Sequence, residues 1–308
     1  MESESIIREA VRDDIPNIIK LLNPLYDYRR NQQFFLWQCF ENVRSSVLLV
    51  AEENHDIVGM YGIQKTLTNT GLIGGQVSWI NIAKHKRRSG LFAEMGAKAQ
   101  IRFPSLDFIF IFANDCAVSA CEKSLGMTFI GTLNRRILKD PVVEPPSESK
   151  IEIIQADTIF SEVTRQDGFV SFQRGETYRR WRYAASTEYR YFKLTPSTGG
   201  YAVIKLFHKD NSPEPVVGDI VDFECNLLDY KELICLFRTA CFQLQRMGAS
   251  AVSTWAASGT PLQGALQELG FQKSNHSSYF GIKALHDSCG NLCDFNSWHL
   301  VQSDATNY

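Results

Sequence analysis

The sequence has little that is extreme, and each shortage excludes something. Its longest strongly apolar run, Phe108 to Ala113, is far below the roughly 20 residues of a membrane-spanning helix. The opening MESESIIREA is polar and lacks the apolar centre of a secretory leader. Both point to a cytoplasmic protein with no membrane partner. Eight cysteines among 308 residues are too few and too irregular for a disulfide framework. Cys121, Cys235 and Cys241 fall instead in apolar helical patterns. Neither sign of charge dominates: 32 Lys plus Arg stand against 34 Asp plus Glu, a net charge of −2. That balance gives no overall pull toward nucleic acid or anionic lipid. His286, Cys289, Cys293 and His299 match no common zinc spacing, and no metal is expected.

What is present is an ordinary folded composition, 44% hydrophobic and 21% charged, on a chain long enough for two domains. The chain also repeats itself. With an offset of about 144, Trp37 faces Trp181, Gly75 faces Gly218, and Leu125-Gly126 faces Leu269-Gly270. IVGMYGI at 57–63 faces YAVIKLF at 201–207 in the same register. One register across several element types predicts two lobes of one fold. The stretch DPVVEPPSES, 140–149, carries three prolines and reads as the linker, placing the domains at 1–140 and 149–308.

Each half reads as β-α-α-β-β-β-α-β-α-β, from the alternation of period-2 and period-3.6 patterns. Asp13 or Asp14 is the expected N-cap of the first helix. The glycine after each Leu125 and Leu269 suits a helix C-terminus, which takes a left-handed residue. The expected class is α+β, with a mixed sheet flanked by helices in each lobe.

The stretch KRRSGLF, 86–92, stands between the strand VSWINI and an apolar helix. A helix N-terminus offers free N–H groups and the positive end of a dipole. Arg87 and Arg88 add charge, Ser89 can cap or donate, and Gly90 carries no Cβ. Leu91 and Phe92 turn inward and anchor the helix. The combination suits a diphosphate, although arginines in a strand-to-helix loop are equally at home in solvent.

The run from Ile82 to Phe92 resembles the pyrophosphate-binding motif of the GCN5-related N-acetyltransferase superfamily. Arg87 and Gly90 match it; Phe92 stands where a small residue is usual, and Lys84 where proline is common. Downstream, Ala113-Asn114 and Leu125-Gly126-Met127 resemble a later motif of that superfamily. The resemblance implies acetyl-CoA or another short acyl-CoA as co-substrate. Its pyrophosphate would lie on residues 87–92 and its pantetheine arm along Trp79–Ile82, with Ile80, Ile82 and Asn114 contributing. Glu122 occupies the place where many members carry an acid tyrosine. The second half has Asn226-Leu227-Leu228-Asp229-Tyr230-Lys231 at the motif position. It lacks the glycine, so that lobe keeps the fold without the coenzyme and builds the acceptor pocket.

Asp222 and Glu224 share one face of an otherwise apolar strand. Buried carboxylates are costly unless used or paired, so they are read as catalytic base candidates or as an ion pair. The run Tyr178-Arg179-Arg180-Trp181-Arg182-Tyr183 interleaves cations and aromatics, as a phosphate-bearing ring system would require. Trp79, Tyr178, Arg179, Arg182 and Tyr183 are therefore substrate-binding candidates. His85 and His208 are weaker candidates for a base. A two-lobed chain with this run, and with the Trp298–Asp304 stretch, looks like the branch of the superfamily that acylates nucleotide-linked amino sugars for bacterial surface polysaccharides. Partners would then be that small-molecule acceptor and, in some cases, a second copy. The alternatives are another amine acceptor (antibiotic, polyamine or protein), an acyl-CoA sensor without turnover, and an aminoacyl-transferring relative.

Overall fold

The computed structural model describes residues 5–25, 30–140, 148–160, 168–207, 216–286 and 292–306. In the first half the elements are β1 (Ile6–Glu9), α1 (Ile15–Leu22), α2 (Gln32–Phe35), β2 (Ser46–Glu53), β3 (Asp56–Leu67), β4 (Ile73–Ile82), α3 (Leu91–Ile101), β5 (Phe108–Ala113), α4 (Asp115–Leu125) and β6 (Thr128–Lys139). The second half has β7 (Ser149–Ile153), α5 (Glu176–Arg179), β8 (Tyr191–Pro196), β9 (Tyr201–Phe207), β10 (Val217–Glu224), α6 (Tyr230–Arg246), β11 (Ala251–Ala257), α7 (Pro261–Glu268) and β12 (Gln272–Ala284). The first half keeps the expected order. In the second, no helix is described between β7 and α5, where 161–167 lie outside the described residues.

The chain divides into two compact units, and the boundaries correct the contiguous division at 140–149. One unit is Met1–Ile130 with Tyr279–Cys293; the other is Gly131–Ser278 with Asp294–Tyr308. The reason is an exchange of closing strands. In the first unit β5 pairs antiparallel with the Tyr279–Ala284 part of β12. In the second, β11 pairs antiparallel with Leu133–Lys139 of β6. Each sheet thus takes its last strand from the other half of the sequence. Segments 141–147 of the expected linker lie outside the described residues.

Within each unit the sheet is antiparallel save one pair. β4 and β5 run parallel through Gly74↔Phe108, Gly75↔Ile109 and Gln76↔Phe110. β10 and β11 do so through Val217↔Ala251, Gly218↔Val252 and Asp219↔Ser253. Every partner is displaced by 143 between the two ladders. The tryptophans expected to correspond also do so: each lies in a π turn, Leu36–Phe40 after α2 and Arg180–Ala184 after α5.

Strand alternation sorts the side chains. Ile109, Ile111 and Ala113 join Val77, Ile63, Leu91, Met95, Ala99 and Cys121 in the core beneath α3 and α4. In the second unit α6 and α7 bury Leu233, Leu236, Phe237, Leu262 and Leu266 against Ile220, Phe223 and Val252. Each such side chain contributes about 1.5–3 kcal/mol when fully buried. Gly126 and Gly270 both take positive φ, 68° and 89°, as the helix-end reading requires.

Asp14 precedes α1 but its side chain accepts from none of that helix's N–H groups. Its carboxylate instead receives both terminal nitrogens of Arg8, at 2.7 Å each, and the Val11 N–H at 2.8 Å. Arg8 also reaches Glu52 at 2.7 Å, so one guanidinium ties β1, β2 and the entry to α1. The hydrogen bond from Arg8 holds the Asp14 carboxyl below its ordinary range. A depressed carboxyl stabilises the fold above the unfolded value of about 3.9 and loses that contribution as pH falls through the folded one. Asp14→Asn is expected to lower stability by about 1–2 kcal/mol at pH 7. In urea titrations the difference from the parent should shrink progressively as pH falls below the unfolded value of about 3.9. A constant gap at all pH values would show that shape, not charge, is what Asp14 supplies.

Candidate functional site

The site is generated by strands that part. After Gln76 and Phe110 the β4–β5 ladder ends, although β4 runs on to Ile82 and β5 to Ala113. A bulge drives the departure. Met60 pairs with Asn81 and Gly62 with Ser78, so one residue of β3 opposes two of β4. Trp79 takes φ 57° within it, a conformation uncommon for a non-glycine residue. Bulges re-aim strands in this way.

The opening is a cleft of about 800 Å³, within the range of small-molecule sites. Its walls are the end of β4 (Ile80, Asn81, Ile82), the loop into α3, and one face of α4 from Asn114 to Ser124. Among the described residues no Asp, Glu or His lines it.

The three cations of KRRSGLF do three different things. Lys86 pairs with Glu53 at 2.6 Å and pins the loop to β2. Arg87 turns back and donates its Nε–H to the Ile82 carbonyl at 3.1 Å, holding the strand end. Arg88 has φ 68°, is exposed and lines the cleft. Ser89 donates to the Lys86 carbonyl at 2.8 Å and tightens the loop. Gly90 is the N-cap residue of α3 with φ 86°, and a Cβ there would meet nothing within 4 Å. The first N–H groups of α3 have no acceptor within the helix; that of Leu91 reaches the Ser89 hydroxyl at 3.4 Å.

Of the residues expected to hold the coenzyme, Ile80, Ile82, Arg87, Arg88, Gly90, Phe92 and Asn114 line the cleft. Ser89 and Leu91 do not; Leu91 is buried in the core. Asn114 caps α4 by accepting from the Ala117 N–H at 3.0 Å. Sequence reasoning missed the α4 wall. Cys116, Ala117, Ser119, Ala120 and Ser124 put small residues along one helix face, and that spacing was the available signal. Trp79 sits apart from the cleft, its ring against Phe34 and Phe35 at 5.9 and 6.1 Å between centroids.

The acceptor residues expected in the second unit need correction. Asp222 is fully buried and lies 3.2 Å from Arg174 Nε; Glu224 and Asp304 each lie 2.9 Å from the same guanidinium. Tyr183 donates its hydroxyl to Asp222 at 2.7 Å, and burial raises its own phenol well above the ordinary value. Burial opposes the charge on Arg174, but the three carboxylates around it hold it protonated. Asp222 and Glu224 therefore form an ion-paired cluster and are not placed to take a proton from a substrate. Tyr178 donates to the Ser303 carbonyl and Arg182 to the Ala305 carbonyl, both at 3.1 Å. They hold the chain's own C-terminal segment, which explains the buried tyrosines and arginine without a nucleotide. Of that run Arg180 is exposed, paired with Glu176, and Arg179 is half-buried, over the rings of Phe160 and Tyr201. His208 and Cys289 lie outside the described residues. His299 is buried with its ring against Phe223 at 5.0 Å. Exposed His85 sits 3.7 Å from Glu53, outside the cleft lining.

No family model matches the chain, and no curated protein matches it. Solved structures do. A tandem GNAT protein from the clavulanic acid biosynthesis pathway superposes with TM-score 0.62 at 13% identity, over 91% of this chain and 98% of that one. A GCN5-related N-acetyltransferase from Anabaena variabilis gives 0.64 at 10% identity, covering 92% and 73%. Saccharomyces cerevisiae N-myristoyltransferase with bound myristoyl-CoA gives 0.62 at 10% identity, covering 92% and 83%. The fold is that of tandem GNAT proteins, α+β with mixed sheets and flanking helices.

The division of labour between Arg87 and Arg88 is testable by calorimetric titration with coenzyme A. Arg88→Ala should weaken binding about tenfold, the loss of one charge-assisted contact, with unchanged thermal stability. Arg87→Ala should lower thermal stability as well as affinity, because it frees the Ile82 carbonyl. Equal effects of the two on both readouts would remove the distinction.

Proposed function

We propose that the chain is an acyl-CoA-dependent N-acyltransferase whose donor occupies the cleft of the first unit. The observation that carries this reading is the conjunction at one opening: strands that part, a glycine-capped helix start, and an exposed arginine beside it. Arg88 and the first N–H groups of α3 would hold the pyrophosphate, and the edge of β4 up to Ile82 would hold the pantetheine arm. The thioester supplies an activated acyl group; the chain supplies position. Among the described residues no carboxylate or histidine lines the cleft, so in this reading the amine arrives neutral and the rate comes from holding reactants together. A small-molecule amine is the acceptor in this reading. A nucleotide-linked amino sugar is supported by the sequence resemblance of the Trp298–Asp304 stretch; the buried Arg182 and Tyr183 no longer support it.

That no carboxylate or histidine lines the cleft among the described residues also favours a second reading, an acyl-CoA sensor without turnover. One assay separates them: thiol release from acetyl-CoA and 3-hydroxybutyryl-CoA, with and without a panel of amines that includes nucleotide-linked amino sugars. Release that depends on one amine establishes the enzyme and its acceptor. Saturable binding with no release on any amine supports the sensor, and no binding at all refutes both.

A further inference from the structure

The second unit has the same parting strands as the first, but among the described residues only a small cavity lies beyond them. Its β10–β11 ladder ends at Asp219 and Ser253, in the register of Gln76 and Phe110. The space beyond is walled by Leu227, Ala257, Thr260, Pro261 and Leu262 and by Trp298, His299 and Leu300, and only about 20 Å³ remains. Phe223, the counterpart of Ile80 at offset 143, packs against the His299 ring. Ala257 is the counterpart of Asn114, and Thr260 caps α7 as Asn114 caps α4. Trp298–Leu300 thus lies where the first unit keeps its cleft.

The segment is seated firmly. Residues Trp298 to Ala305 are each at most 5% exposed. Val170 accepts from the His299 N–H at 2.8 Å and donates to the Ser297 carbonyl at 2.7 Å. Asp304 receives Arg174 at 2.9 Å and the Val301 N–H at 2.9 Å.

The helix start is filled as well. Where α3 begins at Gly90 with only the neutral Ser89 hydroxyl reaching its first N–H, at 3.4 Å, α6 begins at Asp229. The Asp229 carboxylate accepts from the N–H groups of Lys231 and Glu232, both at 3.1 Å. A carboxylate at that position is the chain's own anion on a helix N-terminus.

We infer that the second unit ligands itself: Asp229 stands where an anionic ligand would meet the helix, and Trp298–Asp304 fills the opening between the parted strands. The chain consequently takes one coenzyme, in the first unit. The stoichiometry rests on the reading of the first cleft as the donor site; the self-occupancy does not.

Two measurements on the full chain test this. Hydrogen exchange read by mass spectrometry should show peptides spanning 298–305 protected like the core strand β11. Asp304→Asn should speed their exchange at least tenfold and leave α3 and β4 unchanged. Loop-like exchange of 298–305 in the parent would overturn the occupancy, and unchanged exchange in the variant would overturn Arg174–Asp304 as its anchor. Calorimetric titration with coenzyme A should give one site per chain, abolished in Gly90→Glu and in Arg88→Glu. Two sites in the parent, or one surviving in both variants, would overturn the inference. A parent that binds no coenzyme A overturns the proposed function and leaves the exchange result to decide the occupancy.

Discussion

Two parallel strands that stay paired for three residues and then separate set the problem that each unit has to solve. A parting pair exposes apolar side chains and strand edges at the middle of a sheet, where the surrounding packing excludes water. Buried backbone groups and apolar walls need partners. The bulge at Trp79 makes the parting compulsory in the first unit, because it breaks register with β3 and turns β4 away. The second unit carries the same device one residue earlier in the repeat: its register with β9 shifts between Ile220 and Asp222.

The two units answer that problem in opposite ways, and the difference comes down to few residues. Gly90 puts no acceptor of its own at a helix start that only the Ser89 hydroxyl reaches, whereas the Asp229 carboxylate takes two N–H groups of its helix. The first unit lines its opening with small side chains of α4 and leaves it as a cleft. The second unit covers its opening with Trp298, Leu300 and Val301, which count among its buried residues. The cation inventory follows. In the first unit Lys86, Arg87, Arg88 and Lys123 all line the cleft, with Lys86 bonded to Glu53 and Arg87 to the Ile82 carbonyl. In the second, Arg174 and Arg182 are bonded to Asp304 and to the Ala305 carbonyl of the covering segment.

The repeat, the element order and the loop before α3 were legible because they are local or periodic. A register of 143–144 survives divergence when the same ladder must form twice, and glycines at helix ends mark themselves. The exchange of closing strands was not legible: β6 and β12 carry the same kind of pattern, so either sheet accepts either strand by sequence. The acid pair was half legible. Two carboxylates on the apolar strand β10 had to be either used or neutralised, but Arg174, their partner, lies some fifty residues away in an unremarkable polar stretch, QRGE. Tyr178, Arg182 and Tyr183 misled for the same reason. Cations interleaved with aromatics fit a ligand, and they fit a buried peptide segment with free carbonyls equally well. Only the fold shows that the chain supplies that segment itself.

The buried cluster of Arg174 with Asp222, Glu224 and Asp304 then has a role other than catalysis. Removing one partner from a buried charge network costs about 3–5 kcal/mol, although a well-packed apolar replacement of the whole often costs nothing. Such a network is poor at adding stability and good at fixing which segment sits where. An apolar plug alone would tolerate sliding, since Trp298, Leu300 and Val301 are bound by non-directional forces. Arg174 fixes the register, because its three nitrogens meet two carboxylates from β10 and one from the covering segment. The acids that looked like a base for chemistry are better understood as the half of a lock that β10 contributes. The acyl transfer proposed for the first unit would then proceed without them.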